Sequence, residues 1–461
     1  MNEMIRSGHE AALEELRALL AERLSTGPSI LDEHGRDEAY TPPQRPDAVA
    51  FPESTEEVSQ IMRICTRHRC PVIAYGMGTS LEVQIVPTAG GISLDMSRMN
   101  RVLQVNEHDL DAVVQPGVTR KQLNDDLRAT GLMFTVDPGA DASMGGMAST
   151  RASGTNTVRY GTIRENVLAL EVVLPDGEII RTGSRARKSA AGYDLTHLFI
   201  GAEGTLGIIT ELTVKLHGQP ESILSATCAF PTVRAAVDTV ILAIQSGLPM
   251  ARIELLDEVQ MRGMNVLHPE LGLPEIPHLF LEFHGTEAGV AEQVETFRSI
   301  AEDYEGQDFA AASRMEDRNR LWAARHEAYF AAKALQPRSN GVVTDCCVPI
   351  SKLAECIGRT QQAIALSGLI APMVGHVGDG NFHLVILVDP ERPAEMDAAR
   401  DLAATINKIA LSFGGTVSGE HGVGLGKRKY MEAEHGAAYA LMRRLKTAVD
   451  PDDIMNPGKL V

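Results

Sequence analysis

Pro71-Val72-Ile73-Ala74-Tyr75-Gly76-Met77-Gly78-Thr79-Ser80 reads as a short apolar strand running straight into a loop of small residues. After a strand, such a loop can turn several backbone N–H groups toward a phosphate, and the hydroxyls of Thr79 and Ser80 add donors. No third glycine follows to open a helix, so this is not the fingerprint of a doubly wound dinucleotide fold. Leu81-Glu82-Val83 comes next, then short strands at 92–94, 102–105 and 112–115 and a helix at 118–130 closed by Gly131. The expected class is α+β, with one meandering sheet in the first half.

Upstream, 10–24 is a short amphipathic helix and 40–51 a proline-rich extended stretch. Ser54-Thr55-Glu56-Glu57 has the form of a capping box, Ser54 capping and Glu57 reaching back, before a helix that buries Val58, Ile61, Met62 and Cys65. Downstream, a second loop runs from Asp137-Pro138-Gly139-Ala140-Asp141-Ala142-Ser143 through Met144-Gly145-Gly146-Met147-Ala148-Ser149. It continues by Gly154-Thr155-Asn156 to Arg159-Tyr160-Gly161. So many small residues predict neither helix nor sheet core, and the charge runs of a flexible linker are missing. The composition suits a chain lying flat along an extended cofactor. Segments 167–174 and 178–182, joined by Pro175-Asp176-Gly177, predict a hairpin. Gly201-Ala202-Glu203-Gly204-Thr205-Leu206-Gly207-Ile208 is a third glycine turn, feeding a strand at 208–216.

Composition changes near Gly218-Gln219-Pro220-Glu221, which divides the chain into a helical lead-in (1–40), a cofactor domain (41–219) and a second domain (220–461). Strands there are expected at 224–230, 252–256, 278–285, 341–349, 373–377 and 382–388. Helices are expected at 232–246, 288–303, 316–335, 351–366, 394–413 and 437–449.

The chemistry concentrates in Gly375-His376-Val377-Gly378-Asp379-Gly380-Asn381-Phe382-His383 and in Gly419-Glu420-His421-Gly422. Two imidazoles and a carboxylate, from His376, His383 and Glu420, suit zinc, manganese or iron(II), and three protein ligands leave coordination positions open. Gly422-Val423-Gly424-Leu425-Gly426-Lys427 is no P-loop, because Arg428 stands at the Ser/Thr position and His421 at the first glycine.

At 461 residues the chain exceeds one compact core, and a net charge of −18 with pI ≈ 5.3 argues against nucleic acid. There is no membrane-length apolar run and no signal core, so a cytoplasmic protein is expected, peripheral at most at an inner membrane. None of the six cysteines forms Cys-x-x-Cys, which predicts reduced thiols and no iron–sulfur relay. A homodimer is the base expectation.

With these stretches in order, the chain resembles the vanillyl-alcohol oxidase / p-cresol methylhydroxylase flavoproteins. Within them it is similar to the FAD-linked D-lactate dehydrogenases and the glycolate oxidase catalytic subunit. The resemblance covers roughly 40 to the last residues and implies a two-part FAD-binding domain of the p-cresol methylhydroxylase type plus an α+β cap domain with an antiparallel sheet. It implies FAD held without a covalent bond, since no histidine lies in 137–160. Its contacts would be Tyr75, Gly76, Met77, Gly78, Thr79 and Ser80 in the first loop. Pro138, Gly139, Ala140, Asp141, Ser143, Gly145, Gly146, Ser149, Gly154, Thr155, Tyr160 and Gly161 would follow in the second, with Glu203, Gly207 and Ile208 in the third and Asn456 in a tail returning toward the flavin. Met77 is bulkier than the small residue usual at its place.

The same resemblance implies oxidation of a D-2-hydroxy acid. Arg325, on a helix beginning near Asp317 in the matching stretch 321–349, would bind the carboxylate in its planar fork, unless it is only an exposed salt-bridged arginine. A metal on His376, His383 and Glu420 would hold the substrate oxygens, Asn381 would orient substrate or ligand, and His421 would be the general base. D-lactate is favoured because 339–345 lacks the lysine that D-2-hydroxyglutarate relatives carry, leaving only Lys333 or Arg338 for a second carboxylate. Glycolate, D-2-hydroxyglutarate and an oxygen-using oxidase are the alternatives. The electron acceptor would be external: a cytochrome, a quinone or an electron-transfer flavoprotein.

Overall fold

The structure is a computed structural model that describes residues 3–39 and 42–461. The chain forms two compact units. Unit 1 comprises the residues up to Ser153, Gly161–Gln219 and Glu420–Val461; unit 2 comprises Gly154–Tyr160 and Pro220–Gly419. The expected lead-in boundary at 40/41 lies outside the described residues.

Unit 1 holds two main sheets where the sequence suggested a single meander. In the first, Ala48–Ala50, Ile92–Asp95 and Val72–Tyr75 run parallel, with Leu24–Ser25 antiparallel at the edge. The second is antiparallel, ordered Val102–Asn106, Asp111–Val114, Ile208–Lys215, Val167–Val173 and Ile179–Arg181. The strand at 92–94 thus leaves its sequence neighbours. Its residues are all buried, as a parallel strand covered on both faces requires, whereas no residue of Val102–Asn106 is fully buried. The expected hairpin is present, Val167–Val173 pairing with Ile179–Arg181.

The helix Thr55–Arg67 buries Val58, Ile61, Met62 and Cys65, and Ser54 accepts from the Glu57 amide at 3.3 Å. The expected reciprocal half of the capping box is not made. Glu57 instead takes both Arg23 Nη1 and Nη2 at 2.5 Å and the Glu53 amide, because a bidentate guanidinium outbids a single neutral N–H. The amphipathic helix near the start is Glu3–Leu20, and the one expected at 118–130 is only Arg120–Asp126, its start set by the Thr119 cap.

Unit 2 is an eight-stranded antiparallel sheet whose main path is Gln307–Ala312, Ser222–Ala229, His278–Gly285, Met250–Leu256, Met373–Gly375, Asn381–Val388 and Asn340–Val343. Cys346–Cys347 pairs off that path with Asn381–Val388. Side chains alternate between its faces. Ala226, Cys228, Ile253, Leu255, Leu279, Leu281, Phe283, Phe382, Leu384 and Ile386 join one apolar core with residues of Val233–Gln245, Glu287–Asp303, Leu353–Ser367 and Pro393–Ser412. The intervening positions carry Ser225, Arg252, Glu254, Glu282, His284, Asn381 and His383 on the opposite face. Met315–His326 and Ala328–Ala334 pack there, two helices where one was expected at 316–335, the chain turning at Glu327. Glu258–Leu267 and Gln307–Ala312 were not anticipated. Gly263 interrupts the apolar pattern of the first, and it is there because a Cβ would lie 2.4 Å from the Ala331 carbonyl.

Asp257 caps Glu258–Leu267, its Oδ1 accepting from Gln260 N at 2.8 Å and Met373 N at 3.1 Å, and burial pushes its carboxyl up to about 7. A raised carboxyl means that the folded state holds its proton more tightly than the unfolded chain. Its stabilising contribution is complete below the unfolded pKa of 3.8 and is lost as pH rises through about 7. Asp257→Asn keeps the accepting oxygen, so its Tm should exceed wild type at pH 8 and lose that advantage below pH ~5. Thermal melts across that range check it.

Candidate active site

The polar face of unit 2 brings four of the expected residues together. His376 Nδ1 lies 2.7 and 2.9 Å from the two oxygens of Glu254, and His383 Nδ1 lies 3.1 Å from the Thr344 carbonyl. Both acceptors lack a proton to give, so each Nδ1 carries the hydrogen, and in the neutral ring Nε2 is the ligand atom. The rings stand 5.3 Å apart at 79°, and their ligand nitrogens lie within 4.8 Å of one another. A carboxylate or carbonyl behind each imidazole is the outer support a metal-ligating histidine needs.

Arg325 is 7 % exposed rather than at the surface, with Nη2 donating to Glu254 Oε2 at 2.5 Å. Burial alone would raise the Glu254 carboxyl; His376 and Arg325 overcome that and hold it below the usual range. Among the described residues Arg325 Nε is buried without a hydrogen-bond partner, as is Asn381 Oδ1. These orphaned atoms suit a bound carboxylate and hydroxyl. Asn381 Nδ2 donates to Asp345 Oδ1 at 2.8 Å and to the Cys346 carbonyl at 2.9 Å, and Ser418 Oγ donates to Asp345 Oδ2 at 3.0 Å. Gly419 closes this knot, because a Cβ there would lie 2.2 Å from Asn381 Nδ2.

Glu420 and His421 follow directly in unit 1. Ser153 Oγ donates to Glu420 Oε2 at 2.7 Å, and Gln84 Nε2 donates to the His421 carbonyl at 2.6 Å.

Unit 1 also gathers the three glycine loops. A Cβ on Gly76 would lie 2.7 Å from Ser143 Oγ and one on Gly204 would lie 3.5 Å from Ala74, so the first loop touches the second and third. The amides of Gly201 and Glu203 bond the carbonyls of Ala148 and Ser149 at 2.8 and 2.9 Å. Tyr75 ends the strand Val72–Tyr75, and Gly76, Gly78, Thr79 and Ser80 form the irregular first loop, from which Met77 projects into solvent at 47 % exposure, so its bulk is accommodated. The second loop is not wholly irregular. Met144–Thr150 is a helix capped by Ser143, which accepts from Gly146 N at 3.3 Å, and it is paid for by burying Met144 and Met147. Gly145, Gly146 and Ser149 lie on that helix; Pro138, Gly139, Ala140 and Asp141 precede it at least partly exposed, Asp141 accepting from Lys121 N. Gly154, Thr155 and Tyr160 belong to unit 2, where Tyr160 shares its hydroxyl with His284 at 2.7 Å, while Gly161 returns to unit 1. Gly207 and Ile208 enter the second sheet, Ile208 opposite Val173.

Asn456 donates to the carbonyls of Gln84 and Glu203 at 2.9 and 2.8 Å, and its Oδ1 is buried without a hydrogen-bond partner among the described residues. An irregular donor-rich loop, a capped helix N-terminus and an orphaned amide oxygen in one unit fit a large phosphorylated cofactor.

Glu254 and Gln84 were missed by sequence reasoning. Glu254 had a signal, being a lone carboxylate inside the apolar run Ile253-Glu254-Leu255-Leu256. Gln84 had none.

Family models match in both halves: "FAD linked oxidases, C-terminal domain" over residues 219–460 and "FAD binding domain" over 46–183. The chain belongs to the FAD-linked oxidase family. This FAD-linked oxidase is 48 % identical over 444 residues to "Probable D-lactate dehydrogenase, mitochondrial" of Danio rerio, covering 95 % of this chain and 89 % of the relative. It is 45 % identical to "D-lactate dehydrogenase [cytochrome], mitochondrial" of Arabidopsis thaliana, covering 97 % and 80 %. Solved p-cresol methylhydroxylase shares the fold at TM-score 0.82 and 18 % identity over 98 % of this chain and 97 % of that one. The oxidase therefore has the two-part FAD-binding architecture that the resemblance implied. The relatives' names place them in mitochondria, a compartment the sequence reading did not anticipate. No helix among the described residues is long and apolar enough to cross a membrane.

Proposed function

We propose that this FAD-linked oxidase dehydrogenates a D-2-hydroxy acid, specifically D-lactate to pyruvate. The observation that carries the reading is the buried line Arg325–Glu254–His376 beside His383: a cation with an unused donor next to two imidazoles with fixed tautomers. Arg325 anchors the substrate carboxylate, and Asn381 orients the substrate beside it. His421 takes the hydroxyl proton at a ring nitrogen while the C2 hydrogen departs as hydride, leaving the keto acid. Bound FAD supplies the hydride acceptor, and the electrons then pass to an external cytochrome, quinone or electron-transfer flavoprotein. His376, His383 and Glu420 would hold a divalent cation, whose Lewis acidity would lower the hydroxyl pKa. Glu420 is one peptide bond beyond the Gly419 seated on Asn381, which supports its place in this set.

Other cations in unit 2 support a monocarboxylate. Arg252 Nε bonds Asn156 at 3.0 Å and its guanidinium lies over Trp322 at 4.6 Å; Lys333 lies over Tyr329; Arg338 is exposed. Neither the D-lactate names of the relatives nor this charge distribution favours a dicarboxylate. The test is anaerobic flavin bleaching with D-lactate, L-lactate, glycolate and D-2-hydroxyglutarate added separately. D-lactate should bleach at least about tenfold faster than the others. Faster bleaching by glycolate or D-2-hydroxyglutarate overturns the substrate, and no bleaching by any of them overturns the reaction. Dialysis against a chelator should stop bleaching, and zinc, manganese or iron(II) should restore it.

A further inference from the structure

Residues 421–426 contain neither helix nor strand, yet their backbone is fixed from several directions within unit 1. Glu203 accepts from two consecutive amides, Val423 N to Oε1 at 2.6 Å and Gly424 N to Oε2 at 2.8 Å. Gln84 holds the carbonyl of His421 itself. The amides of Leu425 and Gly426 donate to the Glu82 carbonyl at 2.9 and 3.2 Å, and Leu460 N donates to the Gly424 carbonyl at 2.9 Å. Gly422 has φ +81°, and a Cβ there would lie 2.4 Å from Glu203 Oε1 and 2.8 Å from Gln84 Nε2, so the loop is pressed directly onto both side chains. Asn456 joins the two supports by donating to both of their backbone carbonyls.

Glu203 is 5 % exposed and Gln84 2 %. Burying a carboxylate is costly, and two consecutive amides turned onto it make a small anion cradle that only one loop shape provides. Glu203 also sits at φ +52°, uncommon for a residue with a side chain. The carboxylate grips the amides two and three residues beyond His421, whose own carbonyl Gln84 holds, so the backbone that carries the imidazole is fixed.

We propose that Glu203 and Gln84 are positioning residues of the reaction, fixing the loop that aims the His421 imidazole, and that Asn456 keeps the two in register. This rests on His421 being the base, and it gives Glu203 a task other than the flavin contact the resemblance implied.

The test uses flavin-loaded full-length Gln84→Ala, Glu203→Gln and Glu203→Ala. It reads flavin per chain, kcat and KM for D-lactate, and amide exchange of the peptide covering 420–427. Gln84→Ala and Glu203→Ala should each lower kcat about 10–100-fold with KM within about twofold and flavin content unchanged, and Val423 and Gly424 should exchange faster. Glu203→Gln, which keeps one accepting oxygen, should fall between them and wild type. If Glu203→Ala does not fold, Gln84→Ala decides alone. Unchanged exchange, or loss of flavin with turnover per bound flavin intact, overturns the inference. Failure of the underlying reading looks different: His421→Ala itself would retain turnover.

Discussion

His421→Ala should lower kcat for D-lactate by about 10²–10⁴-fold, the contribution of a positioned general base, while flavin stays bound. His421 is half-buried, its carbonyl is held by Gln84, and its Nε2 lies 3.8 Å from Glu420 Oε1. As the proposed base, His421 should cost turnover far more than stability when it is removed. Rapid-mixing flavin reduction reads the chemical step directly. Reduction by D-lactate within about threefold of wild type would reassign the base.

Glu254→Ala should cost about 3–5 kcal/mol of stability, because it strands Arg325 as an uncompensated buried cation. The Glu254 side chain is 1 % exposed and that of Arg325 8 %. The change also removes the acceptor that fixes the His376 tautomer, so affinity for a divalent cation should drop about 10–100-fold. Glu254→Gln keeps the shape and one acceptor but not the charge, and it should lose less on both counts. Urea denaturation measures the first effect and metal titration of the chelated protein the second. A Glu254→Ala protein with unchanged midpoint and metal affinity would show that the carboxylate supports neither partner.

Much of this site was legible as local pattern. The strand-to-loop stretch at 71–80, the glycine turns and the His376/His383 spacing each declare themselves over a few residues, since backbone conformation and ligand type are short-range properties. Where local reading failed, a distant partner had intervened. Glu57 left its capping box for Arg23, and the small residues of 144–150 became helical because their apolar members found a core. Arg325, expected as an exposed ion pair or as an anchor, is instead buried against Glu254, 71 residues away in the chain.

By itself, then, the chain determined its α+β class, its flavoprotein family and its candidate ligands, because glycine, histidine and apolar periodicity write their consequences locally. Only tertiary structure decided which carboxylate stands behind His376, that Ile92–Asp95 joins a parallel sheet, and that Glu203, Gln84 and Asn456 meet at the His421 loop. Those are pairings across long sequence separations, where the energy of burying a charge or amide is settled by whichever partner the fold delivers.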